Sequence, residues 1–178
     1  MNFLTEIVAS LSEYKELSRT IKSGKTAATS GLAGVHKASV VASLCKEYST
    51  GAILITGDET EANALLSDIN SMGVKAVFYP VRDFMFRDSV GISREYEHQR
   101  LNALSVIKNS KGSPYVVVTC IDAFCQYTIP PSVLAKASIT LRSELQISPE
   151  ELEESLILNG YERCENVEGA GQFAKRGG

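Results

Sequence analysis

Two short runs, Ala52-Ile53-Leu54-Ile55 and Tyr115-Val116-Val117-Val118-Thr119, are apolar at almost every position. A strand with one face in water alternates apolar and polar residues. A strand that is apolar throughout is buried on both faces, as happens when helices cover both sides of a parallel sheet. Between the two runs the period changes. Asp58-x-x-Glu61 has the form of a capping-box helix start, and Ala62, Leu65, Leu66, Ile69 and Met72 form a buried stripe that Gly73 stops. Val74–Phe78 returns to strand character, and Arg94–Lys108 is a helix with Leu101, Leu104 and Ile107 facing inward. This alternation predicts an α/β fold, a doubly wound parallel sheet with helices on both faces.

The flanking segments fill in the rest. Leu4, Ile7, Leu11, Tyr14, Leu17 and Ile21 recur every three or four residues, which predicts one amphipathic core helix over 3–22, ended by Ser23-Gly24. Thr26–Ser30 is expected as a short strand, and Val40, Val41, Leu44, Cys45 and Tyr48 as the apolar face of a following helix. Tyr79–Ser93 places Phe84 and Phe86 among Arg82, Asp83, Arg87 and Asp88; it is either a binding surface or a long connection whose aromatics pack back onto the sheet. Short helical pieces are expected at Asp122–Tyr127 and Ser132–Lys136. Near Ala137 the character changes. Ile139-Thr140-Leu141 is an expected strand. Ser148-Pro149-Glu150-Glu151 combines an N-cap serine, proline at the first helical position and glutamate at the third, a strong helix start. Leu152, Leu156 and Asn159 share a face of that helix, Gly160 ends it, and Tyr161–Cys164 and Gln172–Arg176 follow as strands. This is part of a small α+β unit, with the chain ending inside it.

Of the 178 residues, 44% are hydrophobic and 22% charged, ordinary for a globular protein. With 18 basic against 21 acidic residues the net charge is −3, so the surplus of cations that grips nucleic acid is missing and DNA binding by this segment alone is disfavoured. Cys45, Cys120, Cys125 and Cys164 form no C-x-x-C pair and lie away from His36 and His98, which disfavours zinc; the first three sit in apolar surroundings as small core residues. Neither a signal peptide nor an apolar run long enough to span a membrane is present, and a reducing cytoplasm is the expected compartment.

Thr29–Ser39 is the candidate site. It stands where a phosphate-binding loop would, before a helix, and is compared with the template G-x-x-x-x-G-K-[ST]. Gly31 and Lys37 match, and Gly34 lies inside the loop. The second template glycine is His36, whose side chain crowds the approach of backbone to phosphate. The Mg²⁺-holding hydroxyl is replaced by Ala38, and Ser39 is one position late, about 100° around a helix. This predicts either a nucleotide loop that has lost its chemistry or an ordinary glycine-containing turn. No catalytic or metal-binding residue is assigned.

Phe78-Tyr79-Pro80, Gln99-Arg100-Leu101, VVVT at 116–119, PPSVLAKASITLR at 130–142 and NGYERCENVEGAGQFAKRGG at 159–178, taken in order, resemble the N-terminal region of bacterial transcription-repair coupling factors. The resemblance covers nearly the whole chain and is densest from Tyr115 onward. It implies a RecA-like, UvrB-like α/β subdomain over 1–137 with a degenerate P-loop. It also implies the start of a UvrA-binding subdomain over 138–178, after which the family's chain returns to complete the first subdomain. UvrB keeps an intact loop and a tyrosine-rich hairpin that wedges into DNA, and this sequence has neither. The resemblance assigns a UvrA contact to Arg176 alone. RNA polymerase and DNA binding, and ATP hydrolysis with Mg²⁺ by motor domains, belong to family segments outside this one; no cofactor is expected in it.

The expected function is thus a non-catalytic module recruiting UvrA for nucleotide excision repair. In the family that UvrA-binding face is masked by another part of the same chain until polymerase is engaged. The alternatives are a P-loop enzyme domain that still holds ATP through Lys37 and the helix dipole, and a UvrB-type DNA binder.

Overall fold

The computed structural model describes residues 3–82, 95–142 and 147–176. Tyr79–Ser93, discussed above for its aromatics and charges, therefore lies mostly outside the described residues. Two compact units are present, Met1–Asp88 with Gln99–Gln126, and Ser89–His98 with Tyr127–Gly178.

The first unit contains helices α1 (Phe3–Ser10), α2 (Ser12–Lys22) and α3 (Gly34–Tyr48), strand β1 (Gly51–Thr56), helix α4 (Glu59–Ser71), strand β2 (Lys75–Tyr79), α5 (Glu95–Asn109, from Gln99 on), β3 (Tyr115–Cys120) and the single turn α6 (Ile121–Phe124). The sheet has the order β1-β3-β2 and is parallel throughout, with Ile53 and Val77 both level with Val117. This is the α/β architecture expected from the alternation. Alternate strand residues Ala52, Leu54, Ala76, Phe78, Val116 and Val118 pack on one side with Ala38, Ala42 and Cys45 of α3 and Ala62, Leu65 and Ile69 of α4. On the other side Val77, Tyr79 and Val117 pack with Ala103 and Val106 of α5. Gly51 leaves room for the Tyr115 ring, whose carbons lie 2.1–2.3 Å from where a Cβ would stand.

Several expectations are corrected. Thr26–Ser30 forms no strand: it offers only alanines and short polar residues, nothing large enough to bury on a sheet. The N-terminal periodicity is interrupted at Leu11, which is extended (φ −67°, ψ 142°). The buried face of these two helices is Thr5, Tyr14 and Ser18, while Leu4, Ile7, Leu11 and Ile21 are 40–47% exposed. The reason is the docking partner, because α3 presents polar groups there. Tyr14 Oη and Ser18 Oγ both donate to the Glu47 carboxylate, at 2.7 and 2.8 Å. In α3 and α5 the sheet-facing residues are small or slender, Ala38, Ala42 and Cys45 in one and Ala103 and Val106 in the other; Leu101 and Ile107 stay outside. Cys125 is exposed rather than core, whereas Cys45 and Cys120 are buried.

The second unit contains α7 (Pro131–Ala137), α8 (Pro149–Leu158) and two short parallel strands, β4 (Glu162–Arg163) and β5 (Gln172–Phe173). The strands are shorter than expected, and Ile139–Leu141 is irregular. The helix start at Ser148 is as read. The Ser148 hydroxyl accepts from the Glu151 amide, and the Glu151 carboxylate accepts from the Ser148 amide, both at 3.1 Å. No helix among the described residues is long and apolar enough to cross a membrane.

Candidate functional site

The loop enters α3 from irregular chain, not from a strand. Gly31 has φ +77°, the left-handed region that glycine enters without strain. Gly34 is the first residue of α3, and the N-cap Ala33 supplies no side-chain acceptor to the first-turn amides. The Lys37 amide is already used, donating to the Ala33 carbonyl at 3.0 Å.

The side chains diverge further from a phosphate site. Lys37 Nζ lies 2.7 Å from Glu61 Oε1, so the one template cation faces a carboxylate of the same unit. Glu61 is three residues after Asp58, the N-cap of α4, whose carboxylate accepts from the Glu61 amide at 2.8 Å. Half of the predicted capping box is thus made, while Glu61's own carboxylate turns to Lys37. Ala38 is fully buried against the sheet, so a hydroxyl at that position would point into the core. Ser39 is 2% exposed and donates back to the Val35 carbonyl at 2.8 Å, leaving its hydroxyl committed inside the helix. His36 is exposed. Gly31, Gly34, His36, Lys37 and Ala38 lie together as the sequence dictates; the carboxylate that meets them comes from α4. The Asp58-x-x-Glu61 spacing points to capping and gives no sign of the pairing with Lys37.

A polar cluster that no binding motif in the sequence marks lies at the carboxyl ends of β2 and β3, where ligands of α/β sheets commonly sit. Arg100, 6% exposed, donates to the Pro80 carbonyl at 2.7 Å and to Gln126 Oε1 at 3.1 Å, and stacks 4.0 Å from the centre of the Tyr79 ring. Gln126 also pairs with both backbone groups of Arg82, and Glu59 Oε1 accepts from the Val81 amide at 2.9 Å. These groups hold the backbone that leaves β2. Among the described residues no group of three or more His, Cys, Asp or Glu is placed to hold a metal ion.

Arg176 lies in the second unit, just beyond β5. Its Nη2 donates to Asn166 Oδ1 and, at 3.5 Å, to the Glu165 carbonyl. The neighbouring cations are differently placed. Lys175 bridges Glu150 and Glu153 at 3.0 and 3.4 Å, and Arg163 meets Glu153 at 2.6 Å. The Lys175 ammonium holds the Glu150 carboxyl below its ordinary range, and the hydrogen bond to Glu150 holds Lys175 above its own.

No family model matches the chain. Among characterised proteins it is 24% identical over 181 residues to the transcription-repair-coupling factor of Bacillus subtilis strain 168, and 23% identical over 180 residues to those of Staphylococcus aureus strains MRSA252 and USA300. Each match covers the whole chain and 15% of the relative, so the chain spans about a seventh of the length of the curated relatives it matches. Over its full length the chain is a distant homologue of the N-terminal 15% of transcription-repair coupling factors.

Proposed function

We propose that this segment is a non-catalytic docking module of a transcription-repair coupling factor, recruiting UvrA to stalled transcription for nucleotide excision repair. The observation that carries the non-catalytic part is the Lys37–Glu61 ion pair beside the buried Ala38. A nucleotide loop needs a free cation for the β- and γ-phosphates and a hydroxyl for Mg²⁺. Here the cation faces a carboxylate and the position for the hydroxyl belongs to the core. Whole-length homology supports the repair setting, and the resemblance supplies UvrA as the partner and Arg176 as its contact. Residues 1–137 are read as the UvrB-like subdomain and 138–178 as the start of the UvrA-binding one. The outer edge of β1, beside Ile53 and Ile55 at 56% and 42% exposure, fits a sheet that a later segment of a longer chain completes. ATP, Mg²⁺, DNA and RNA polymerase are assigned to other parts of such a chain, in the cytoplasm.

The test is UvrA binding by the full-length protein engaged on stalled RNA polymerase. An arginine anchor at an interface is worth about 2 kcal/mol, so Arg176→Ala should weaken UvrA roughly thirtyfold. Unchanged affinity would remove Arg176 from the interface, and no UvrA binding by the unsubstituted protein would overturn the recruitment reading.

A second reading, residual nucleotide binding, is favoured by the left-handed Gly31 and the uncapped start of α3. It requires ATP binding at micromolar concentration that Lys37→Ala abolishes; absence of binding at millimolar ATP ends it.

A further inference from the structure

Three cations sit on or next to the β4–β5 ribbon. Arg163 and Lys175 are each paired with carboxylates of α8. Among the described residues, the acceptors of Arg176 are neutral: the side-chain oxygen of Asn166 and the backbone carbonyl of Glu165. Both are reached through Nη2, so one nitrogen is tethered while no carboxylate among the described residues pairs with the guanidinium. A planar cation held in this way keeps its charge, and the donors other than those of Nη2, for a single charge-assisted contact with a carboxylate on a partner.

The tether is itself built. Asn166 lies in the β4–β5 connection, and Gln172, the first residue of β5, fixes that connection through Oε1, which accepts from the Glu168 amide at 2.9 Å and the Gly169 amide at 3.1 Å. Gly171 makes the turn into β5 with φ +83°. The strands on either side are joined by Glu162 N–H to Gly171 O and Cys164 N–H to Phe173 O, at 2.8 and 2.9 Å. Next to Asn166, Val167 is 56% exposed, an apolar side chain in a loop whose backbone is held.

We propose that Asn166 and Gln172 are positioning residues for Arg176, and that Arg176 with Val167 forms one docking epitope for a partner surface carrying a carboxylate beside a small apolar depression. This deepens the UvrA reading and rests on it, since it takes Arg176 as the contact. Asn166 orients the guanidinium, Gln172 holds the loop that carries Asn166, and Val167 supplies the dry contact that sharpens the ion pair.

The test is UvrA affinity of full-length protein on stalled RNA polymerase, with Asn166→Ala, Arg176→Ala, the double variant and Val167→Asp, alongside the thermal unfolding midpoint of each. Asn166→Ala should weaken binding about tenfold with an unchanged midpoint, and the double variant should bind no worse than Arg176→Ala alone, because the two residues act through one contact. Val167→Asp alters an exposed residue and keeps the fold, and the new charge opposes the partner carboxylate. It too should weaken binding about tenfold. Losses that multiply in the double variant would overturn the positioning role of Asn166, and full affinity in Val167→Asp would overturn the epitope, whether or not Asn166→Ala folds. If Arg176→Ala weakens UvrA while Asn166→Ala and Val167→Asp do not, this inference fails and the recruitment reading stands. If Arg176→Ala has no effect, the contact assignment and this inference fall together.

Discussion

Lys37 and Arg176 are both cations next to glycine-containing loops, and their surroundings treat them in opposite ways. Lys37 lies 2.7 Å from Glu61, with both side chains well exposed to solvent. Arg176 donates through one nitrogen to neutral acceptors. A cation that meets a carboxylate of its own unit has its charge answered locally. A cation tethered by an amide oxygen keeps its charge for something else. The motif Lys37 belongs to is the more familiar one, yet it is the second arrangement that the proposed docking role uses.

Restoring the template should break the comparison most forcefully, and the structure predicts that it fails. Ala38→Thr places a methyl and a hydroxyl in a fully buried site between α3 and the sheet. It should lower unfolding free energy by about 1–3 kcal/mol in denaturant titration, with no gain in ATP binding. Tight ATP binding by this variant would show that the loop needs only its missing hydroxyl.

A smaller effect concerns how α3 is held. Tyr14 and Ser18 of α2 donate to Glu47, and these bonds keep its carboxyl below the ordinary range, the Tyr14 bond most strongly. A depressed carboxyl contributes stability that is present above its unfolded value of about 4.3 and is lost as pH falls through the lower folded value. Burial, and then the bond to Glu47, raise Tyr14 above its normal range. That contribution is complete below about pH 10 and lost at higher pH. Tyr14→Phe should therefore cost about 1 kcal/mol near neutral pH and flatten both the acid and the alkaline limbs of a stability–pH curve. Unchanged limbs would mean the pair is not what docks α2.

Lys37→Ala should have the smallest effect. An exposed ion pair is worth between zero and about 1 kcal/mol, and the change should shrink in high salt. A loss well above this in thermal or denaturant unfolding would give the Lys37–Glu61 pair a structural weight its exposure does not support.

The strands of the sheet were legible in the sequence because short apolar runs such as Ala52–Ile55 and Tyr115–Val118 have few other uses, although β1 is not buried on both faces as expected, since Ile53 and Ile55 are exposed. Helix α4 was equally legible, since its cap at Asp58 and its stripe Ala62, Leu65, Ile69 and Met72 agree. The faces of α1, α2, α3 and α5 were read only in part, with Tyr14, Val41, Cys45 and Leu104 facing inward as expected and the rest displaced for one physical reason. Periodicity reports where large apolar residues recur, whereas helices approach a sheet or one another on whichever side allows close contact. Ala38, Ala42 and Ala103 do that in α3 and α5, and a serine–tyrosine–glutamate cluster does it between α2 and α3. At the candidate site the departures from the template at His36 and Ala38 were readable as spacing. The partner of Lys37 was not, because Glu61 lies 24 residues away. Nor could spacing show that Gln172 and Asn166 would meet the loop and the guanidinium they hold. Those contacts depend on how the β4–β5 connection folds back.

The account turns on which of the two cations meets the partner. The most direct measurement is therefore UvrA affinity of the full-length protein on stalled RNA polymerase, with Lys37→Ala and Arg176→Ala compared side by side. The account predicts a loss of about thirtyfold for Arg176→Ala and no change for Lys37→Ala. Loss of UvrA binding in Lys37→Ala with full affinity in Arg176→Ala would contradict it.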